Sequence, residues 1–170
     1  MQRPTANQYN PYFQRYIDLV PEGNFFDIFA QYTANAVHFF EAIPPEKHQY
    51  RYAENKWTIK DILMHIIDTE RVMSYRALVG ARGDSATPLP YMDEDGYAQN
   101  VSTANRSMES LLDEFITVRR ATDFLFKHLN TEQSTWQCNT FGHPTTPAAL
   151  GYIIVGHVEH HIKVIQERYL

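Results

Sequence analysis

The sequence predicts an all-α protein, a four-helix bundle with long connecting loops and an extended N-terminal arm. Four long segments carry apolar residues at the spacing that places them on one helical face, and each opens at a residue that commonly caps a helix. No segment alternates apolar and polar residues convincingly as a half-buried strand does. With 170 residues, 44% of them hydrophobic and 21% charged, the chain is expected to fold as one domain over residues 1–170.

The N-terminal arm, residues 1–20, shows no sustained period but carries several aromatic side chains. We therefore expect it to lie against the body of the protein, with one short helical turn near residues 12–19. Asn24 is a candidate N-cap for the first long helix, predicted over residues 24–42. The proline pair at 44–45 closes this helix, because proline disfavours helical backbone before it and lacks an N–H group.

The second long helix is predicted to begin after Thr58, with Asp61 placed to complete a capping box. It should end at Gly80, since glycine readily adopts the backbone conformation that closes a helix. His65 lies on the shoulder of its apolar stripe rather than at the centre. Residues 81–100 are predicted to be an irregular loop, of a length often found in lids and binding loops.

The third long helix is predicted to begin at Ser102 or Thr103 and to run to about residue 129. Residues 130–145 then form a polar connector without predicted regular structure. Two long connections in one bundle allow the chain to cross over instead of following a simple up-and-down order.

The last long helix, capped by Thr146 with Pro147 in its first turn, carries a cluster of histidines. His157 and His161 are four residues apart, so their side chains project from the same face about one turn apart. Both fall inside the apolar stripe, whereas His160 lies at its edge. Inward-facing histidines need partners, because burying an unpaired polar ring is unfavourable. Hydrogen bonds or a metal ion would each supply them.

Two histidines on one helix make half of a typical catalytic metal site, which has three protein ligands and one open position. Spacing alone leaves the third ligand open, and helix position favours His65 among the candidates. The other candidates, besides the carboxylates, are His38, His48, His128, His143 and Cys138. His143 precedes the last helix and is also a candidate for contact with a substrate.

Charge and cysteine content limit the functional classes. A net charge of −5 argues against electrostatic binding to nucleic acid or to an anionic membrane, both of which need clustered positive charge. The single cysteine, Cys138, allows no internal disulfide, as is usual in a reducing compartment. No apolar run has the length of a membrane span and no signal-peptide core is visible, so we expect a cytoplasmic location.

Several stretches of the chain resemble the DinB-like superfamily. They are residues 57–71, which begin Trp-Thr and include a lone histidine, residues 156–161 with the paired histidines, and residues 167–170, 10–23 and 89–95. The resemblance implies a four-helix bundle of the DinB/YfiT type, commonly dimeric, with a three-histidine metal site. The matching residues are His65, His157 and His161, and the doubled histidine leaves His160 as the alternative to His161.

The resemblance also implies two kinds of activity. Relatives include bacillithiol S-transferases, a mycothiol-dependent isomerase and metal-dependent hydrolases. The leading hypothesis is an enzyme that holds Zn²⁺, Ni²⁺ or a similar divalent ion and transfers a low-molecular-weight thiol to a small molecule, or hydrolyses one. The competing hypothesis is a stress-related protein that binds a metal or small molecule without catalysis.

A homodimer is also predicted. The last helix carries a second apolar flank, formed by Val155, Val158 and Ile162, which is wider than one bundle seam requires. Alternatively, the N-terminal arm or a neighbouring helix covers this flank within one chain.

Overall fold

Four long helices form the body of the protein in a computed structural model that describes residues 1–170. Three short helices and three short strands lie between them or in the arm. In chain order the elements are α1 (Gln14–Ile17), α2 (Phe25–Glu41), α3 (Ile59–Ala81), β1 (Pro88–Leu89), α4 (Glu94–Asn100), α5 (Met108–Lys127), α6 (Thr131–Thr135), β2 (Cys138–Thr140), β3 (His143–Thr145) and α7 (Pro147–Arg168). The predicted four-helix bundle is confirmed.

The predicted caps of three long helices are present. The Asn24 side chain accepts hydrogen bonds from the first backbone N–H groups of α2. Thr58 and Asp61 form the reciprocal capping box of α3, with bonds of 2.9 and 3.1 Å. The Thr146 hydroxyl accepts from the Ala149 N–H group at the start of α7. These bonds satisfy N–H groups that have no partner inside a helix, which is why the sequence locates these helix starts well.

The third long helix begins later than predicted. Its N-cap is Ser107, not Ser102 or Thr103. The Thr103 hydroxyl instead donates to the Asp61 side chain, and the Lys60 ammonium group donates to backbone carbonyls at Ala104 and Arg106. These tertiary bonds hold the preceding segment against α3 in a non-helical conformation.

The stretches predicted to lack regular structure, residues 81–100 and 130–145, contain short elements. They contribute α4, α6 and a three-stranded sheet in which β1 pairs parallel with β2, and β2 pairs antiparallel with β3. Strands of two or three residues are too short to show an alternating pattern. The second long helix also continues one residue past the predicted end at Gly80, which packs against Cys138 and Pro147.

The chain crosses over between its first two long helices. Helix α3 packs against α7 and α5, whereas α2 packs against α5 and α7 on the other side of the bundle. The first two long helices therefore lie diagonally opposite, and the connection between them spans the end of the bundle. This order makes α3 and α7 neighbours although they are distant in sequence.

The N-terminal arm lies against the body of the protein and packs across the last helix. Tyr16 and Ile17 of α1 are buried, and the backbone of α1 passes directly over Gly156 of α7. A Cβ atom at Gly156 would overlap the Tyr16 carbonyl group, so only glycine permits this close approach.

The apolar flank that motivated the predicted dimer is buried within one chain. Val155, Val158 and Ile162 are at most 7% exposed and belong to the two hydrophobic clusters of the core. The alternative explanation, cover by the arm and neighbouring helices, is the correct one for this flank. The homodimer stays a prediction without that support. No helix has the length and apolar character needed to cross a membrane.

A buried ion pair joins two helices in the centre of the bundle. Arg119 of α5 lies 2.7 Å from the Glu70 carboxylate of α3, and both side chains are 2% exposed. The Arg119 guanidinium also lies over the rings of Phe29 and Phe115. Its Nε–H group is poorly aligned for a hydrogen bond to Glu70, so the contact is chiefly electrostatic.

Candidate metal centre

Helices α3 and α7 bring three histidine side chains together at their contact. The Nε2 atom of His157 lies 3.1 Å from that of His65 and 3.0 Å from that of His161. The candidate ligand atoms of all three residues lie within 4.8 Å of one another. The structure therefore joins the three histidines that the resemblance selected, two from one helix and one from its neighbour.

His160 lies outside this cluster. Its ring contacts the rings of Tyr16 and His161, with centroids 5.4 and 5.1 Å away. The helical phase of α7 accounts for this, since one residue corresponds to a rotation of about 100° and only His161 stays in line with His157. His161 is thus the neighbour that joins the group.

Burial keeps the three imidazoles neutral. It lowers the pKa of His65 to about 4, with the charge of His160 as a smaller cause. The pKa values of His157 and His161 lie well below the usual range, first because of burial and then because of the other histidines. Neutral imidazole has an unprotonated nitrogen, so protons do not compete for these sites at neutral pH.

A divalent cation fits this donor set better than hydrogen bonds do. The Nε2 atom of His157 faces two other Nε2 atoms, yet it has either one hydrogen or one lone pair to offer. Hydrogen bonds among the three rings therefore leave the group incompletely paired. One tetrahedral ion with Zn–N bonds of about 2.0–2.1 Å would separate its nitrogens by about 3.3 Å. The Nε2 atom of His157 lies 3.1 and 3.0 Å from those of His65 and His161, which is near that value.

Aromatic side chains cover the cluster. The indole ring of Trp57 lies 4.7 Å from the His65 ring, and the phenol ring of Tyr16 meets the His157 ring edge-on at 5.3 Å. Arg15 donates a hydrogen bond of 2.8 Å to the Tyr16 hydroxyl, and burial raises the pKa of Tyr16 to about 12. Neither aromatic contact was recognised from the sequence, because each comes from a loop or arm that only the fold places there.

Two cavities reach the cluster from different sides. The larger, of about 340 Å³, has His157 in its wall. The smaller, of about 270 Å³, is lined by His161 and His160. The other residues lining the larger cavity are Asn10, Tyr12, Phe13, Tyr16, Thr69, Met73, Arg76, Tyr91, Met92, Glu94, Thr140, Phe141, His143 and Ile153.

The remaining candidate ligands lie elsewhere. His48 and His128 bond to nearby backbone carbonyls, and His38 is exposed on α2. Cys138 is buried in β2, where burial raises the pKa of its thiol to about 11. His143 lines the larger cavity, as a substrate-contacting residue would, but it is not part of the histidine cluster.

The structure combines a crossover four-helix bundle with a buried three-histidine cluster at the contact of two helices. A family model for the DinB superfamily matches residues 28–165, and the chain belongs to that superfamily. No curated protein matches the sequence.

Two solved structures share the fold. YfiT from Bacillus subtilis, described as a probable metal-dependent hydrolase with an unusual four-helix bundle topology, has 14% identity and a TM-score of 0.73, with 98% of this chain and 90% of that chain covered. The mycothiol-dependent maleylpyruvate isomerase has 10% identity and a TM-score of 0.63 over 89% of this chain. The match spans 59% of the isomerase chain.

Proposed function

We propose that this protein is a metal-dependent enzyme acting on a small molecule, with a divalent cation held by His65, His157 and His161. The observation that supports this most strongly is the convergence of three neutral imidazoles beside a cavity of about 340 Å³. Zn²⁺ and Ni²⁺ both suit such ligands, and the donor set does not select between them.

The chain's own residues suit this role in two ways. Three neutral ligands leave the positive charge of the ion uncompensated, and the rings of Tyr16 and Trp57 pack against two of those ligands, His157 and His65. When bound, the ion lowers the pKa of a water or thiol ligand and so supplies a nucleophile near neutral pH.

Thiol transfer is the reaction that the arrangement favours. A transferase must bring a thiol and an electrophile to one centre, and here two cavities meet the cluster through different histidines. The name of the mycothiol-dependent isomerase also links this fold to a low-molecular-weight thiol. We infer a cytoplasmic setting for such a reaction, since low-molecular-weight thiols stay reduced there.

Hydrolysis is the second candidate, supported by the description of YfiT. Water is small enough to need no cavity of its own, so hydrolysis would leave the smaller cavity without a role. A stress-related protein that binds metal without catalysis is the third hypothesis, to be kept if no reaction is found.

Metal analysis tests the first part of the proposal. Protein purified without a chelator or a nickel column should contain about one divalent ion per chain. His157→Ala should abolish this binding, whereas His160→Ala, in the adjacent position outside the cluster, should retain it. Equal metal content in the two variants would contradict the assignment.

A substrate panel tests the second part. Bacillithiol and an activated aryl chloride, 1-chloro-2,4-dinitrobenzene, form one arm: a C–S bond forms, the C–Cl bond breaks, chloride leaves with the bonding electrons and the thiol proton passes to solvent. Nitrophenyl esters and nitroanilides form the hydrolytic arm. We expect metal-dependent turnover in the thiol arm that His157→Ala removes. Turnover confined to esters or amides would select hydrolysis instead, and metal without turnover in either arm would favour the binding protein.

A further inference from the structure

Arg76 is a buried cation without an acidic partner in the wall of the larger cavity. Arg76 lies on α3 and is 6% exposed, and no carboxylate lies within 4.0 Å of its guanidinium group. One Nη atom donates to the Pro90 carbonyl at 2.6 Å, and the other contacts the Met73 sulfur at 3.6 Å. Of its five N–H groups, only one is bonded to an oxygen atom of the protein.

An uncompensated guanidinium is a costly feature to bury. Arginine keeps its positive charge at neutral pH, and a charge taken out of water is stabilised only by a partner. The Pro90 carbonyl supplies part of that stabilisation. The remaining N–H groups have the planar arrangement that pairs with a carboxylate.

Arg76 and the histidine cluster lie along one face of α3. Residues 65, 69, 73 and 76 recur at helical spacing, and Thr69, Met73 and Arg76 all line the cavity. The helix rises about 16 Å from His65 to Arg76. Long helical side chains lean towards the N-terminus, as the contact with Met73 shows for Arg76, so the guanidinium is closer to the cluster than its backbone is.

Exposed aromatic rings stand at the mouth of this cavity. Phe141 is 64% exposed and Tyr91 62% exposed, and their ring centroids are 5.4 Å apart. Phe141 lies in the tight turn between β2 and β3 with φ 52°, followed by Gly142 with φ 79°. Turns of this kind favour Asn-Gly, and a bulky side chain at positive φ is strained. An exposed aromatic ring on a residue with strained backbone is an outlier of the kind that indicates a functional contact.

The other ionisable groups of the cavity do not replace a ligand for Arg76. Glu94 lies at the exposed mouth on α4, more than 4.0 Å from the guanidinium, and His143 is exposed on β3. The lining of the cavity is largely apolar, with Met73 and Ile153 among its residues.

We propose that the larger cavity binds a small molecule with an aromatic or apolar body and one carboxylate, which Arg76 holds while Tyr91 and Phe141 contact the body. One guanidinium balances one negative charge, whereas a phosphate monoester would leave a second charge buried. That the opposite end of the molecule reacts at the histidine cluster rests on the proposed function; the binding itself does not.

A matched pair of probes tests this inference. 4-Phenylbutyrate and its neutral amide, 4-phenylbutanamide, differ in charge but hardly in shape. Their affinities are measured by calorimetry for the full chain, as purified and after treatment with a chelator. In the chelator-treated protein, a preference for the acid cannot come from direct binding of its carboxylate to the metal. We expect the acid to bind at least tenfold more tightly than the amide in both preparations.

Three variants separate the contributions. Arg76→Met should abolish the preference for the acid and leave the affinity for the amide unchanged, whereas Arg82→Met, at an exposed position at the end of α3, should keep the preference. Arg76→Lys retains the charge and should keep part of the preference for the acid. Phe141→Asn should weaken both probes severalfold while raising the melting temperature, because it relieves the strained turn.

Equal binding of acid and amide by the unmodified protein would overturn the inference, whether or not Arg76→Met folds. A preference that survives in a folded Arg76→Met protein would also overturn it, as would full affinity in Phe141→Asn. Metal content reports separately on the proposed function. A preference for the acid in a protein that binds no metal would leave the cavity assignment standing and remove the catalytic role.

Discussion

At the residue scale, the function proposed depends on the protonation state of three histidines. Burial of His65, His157 and His161 disfavours their charged forms, and neighbouring histidines lower the pKa values of His157 and His161 further. The fold therefore keeps three neutral imidazoles in place whose nitrogens hydrogen bonds among the rings pair only in part. If these three positions served only to fill the core, apolar side chains would occupy them at lower free energy.

Buried histidines make the stability of the metal-free protein depend on pH. The pKa of His65 is about 4 in the folded chain against 6.5 in the unfolded chain. Between these values the unfolded chain binds the proton that the folded chain excludes, so the free energy of unfolding falls as pH decreases from 6.5. The slope is about 1.4 kcal/mol per pH unit for each such group.

Urea unfolding of chelated protein between pH 7.5 and 5 measures this slope. We expect His65→Gln to remove its share of the pH dependence. The matched change His128→Gln, at an exposed position, should leave the slope as in the unmodified protein. Identical slopes for all three proteins would show that His65 is not kept neutral by burial.

At the element scale, the arm and the last helix are held in register by one glycine. The backbone of α1 crosses α7 at Gly156, which places the Tyr16 ring against His157 and His160. The arm is thus part of the wall of the candidate site and not only a covering of the core.

Gly156→Ala should displace this arm. Alanine gains about 1 kcal/mol in helix propensity, but overpacking costs about 1–3 kcal/mol, and here the clash is with backbone that cannot move locally. We expect a net loss of stability and faster proteolysis within residues 1–20. Gly80→Ala is the control, since its Cβ atom would meet neighbours at an ordinary 3.4 Å. Similar effects of both changes on proteolysis of the arm would contradict this explanation.

The ion pair between α3 and α5 is a second feature at this scale. Burial raises the pKa of Glu70 and the charge of Arg119 lowers it, so the carboxylate depends on its partner. Arg119→Met should cost about 3–5 kcal/mol, because it leaves an acid buried alone. In the double variant with Glu70→Leu, most of that loss should be recovered.

The exposed pair formed by Lys127 and Asp123 provides the comparison. Lys127→Met should cost no more than about 1 kcal/mol in the same urea titration, since water screens this pair. If the double variant Arg119→Met with Glu70→Leu is as unstable as Arg119→Met alone, then packing, and not the unpaired acid, determines the loss of stability.

The sequence predicts the long helices better than the segments between them. Local signals such as the capping box of Thr58 and Asp61 act within one turn and can be recognised in one dimension. The start of α5 depends instead on Lys60 and Thr103, whose partners are more than forty residues away in sequence. The short sheet likewise depends on pairing between distant strands.

At the scale of the whole molecule, the crossover creates the site. It makes α3 the neighbour of α7, so His65 meets a pair of histidines 92 residues further along the chain. Helical spacing alone selects His157 and His161 as candidate metal ligands, and the resemblance to the DinB-like superfamily adds His65. The cavity, the aromatic cover and Arg76 could not be predicted, because they depend on how the arm, β1, α4 and the hairpin converge on one end of the bundle.

The central claim is that the three histidines hold one metal ion. Anomalous diffraction from crystals of protein purified without a chelator, recorded on both sides of the absorption edge of the metal found, locates that ion directly. We expect one strong peak about 2.0–2.2 Å from the Nε2 atoms of His65, His157 and His161, with the open side facing a cavity. A peak at other residues, or none in protein that carries stoichiometric metal, would contradict the account.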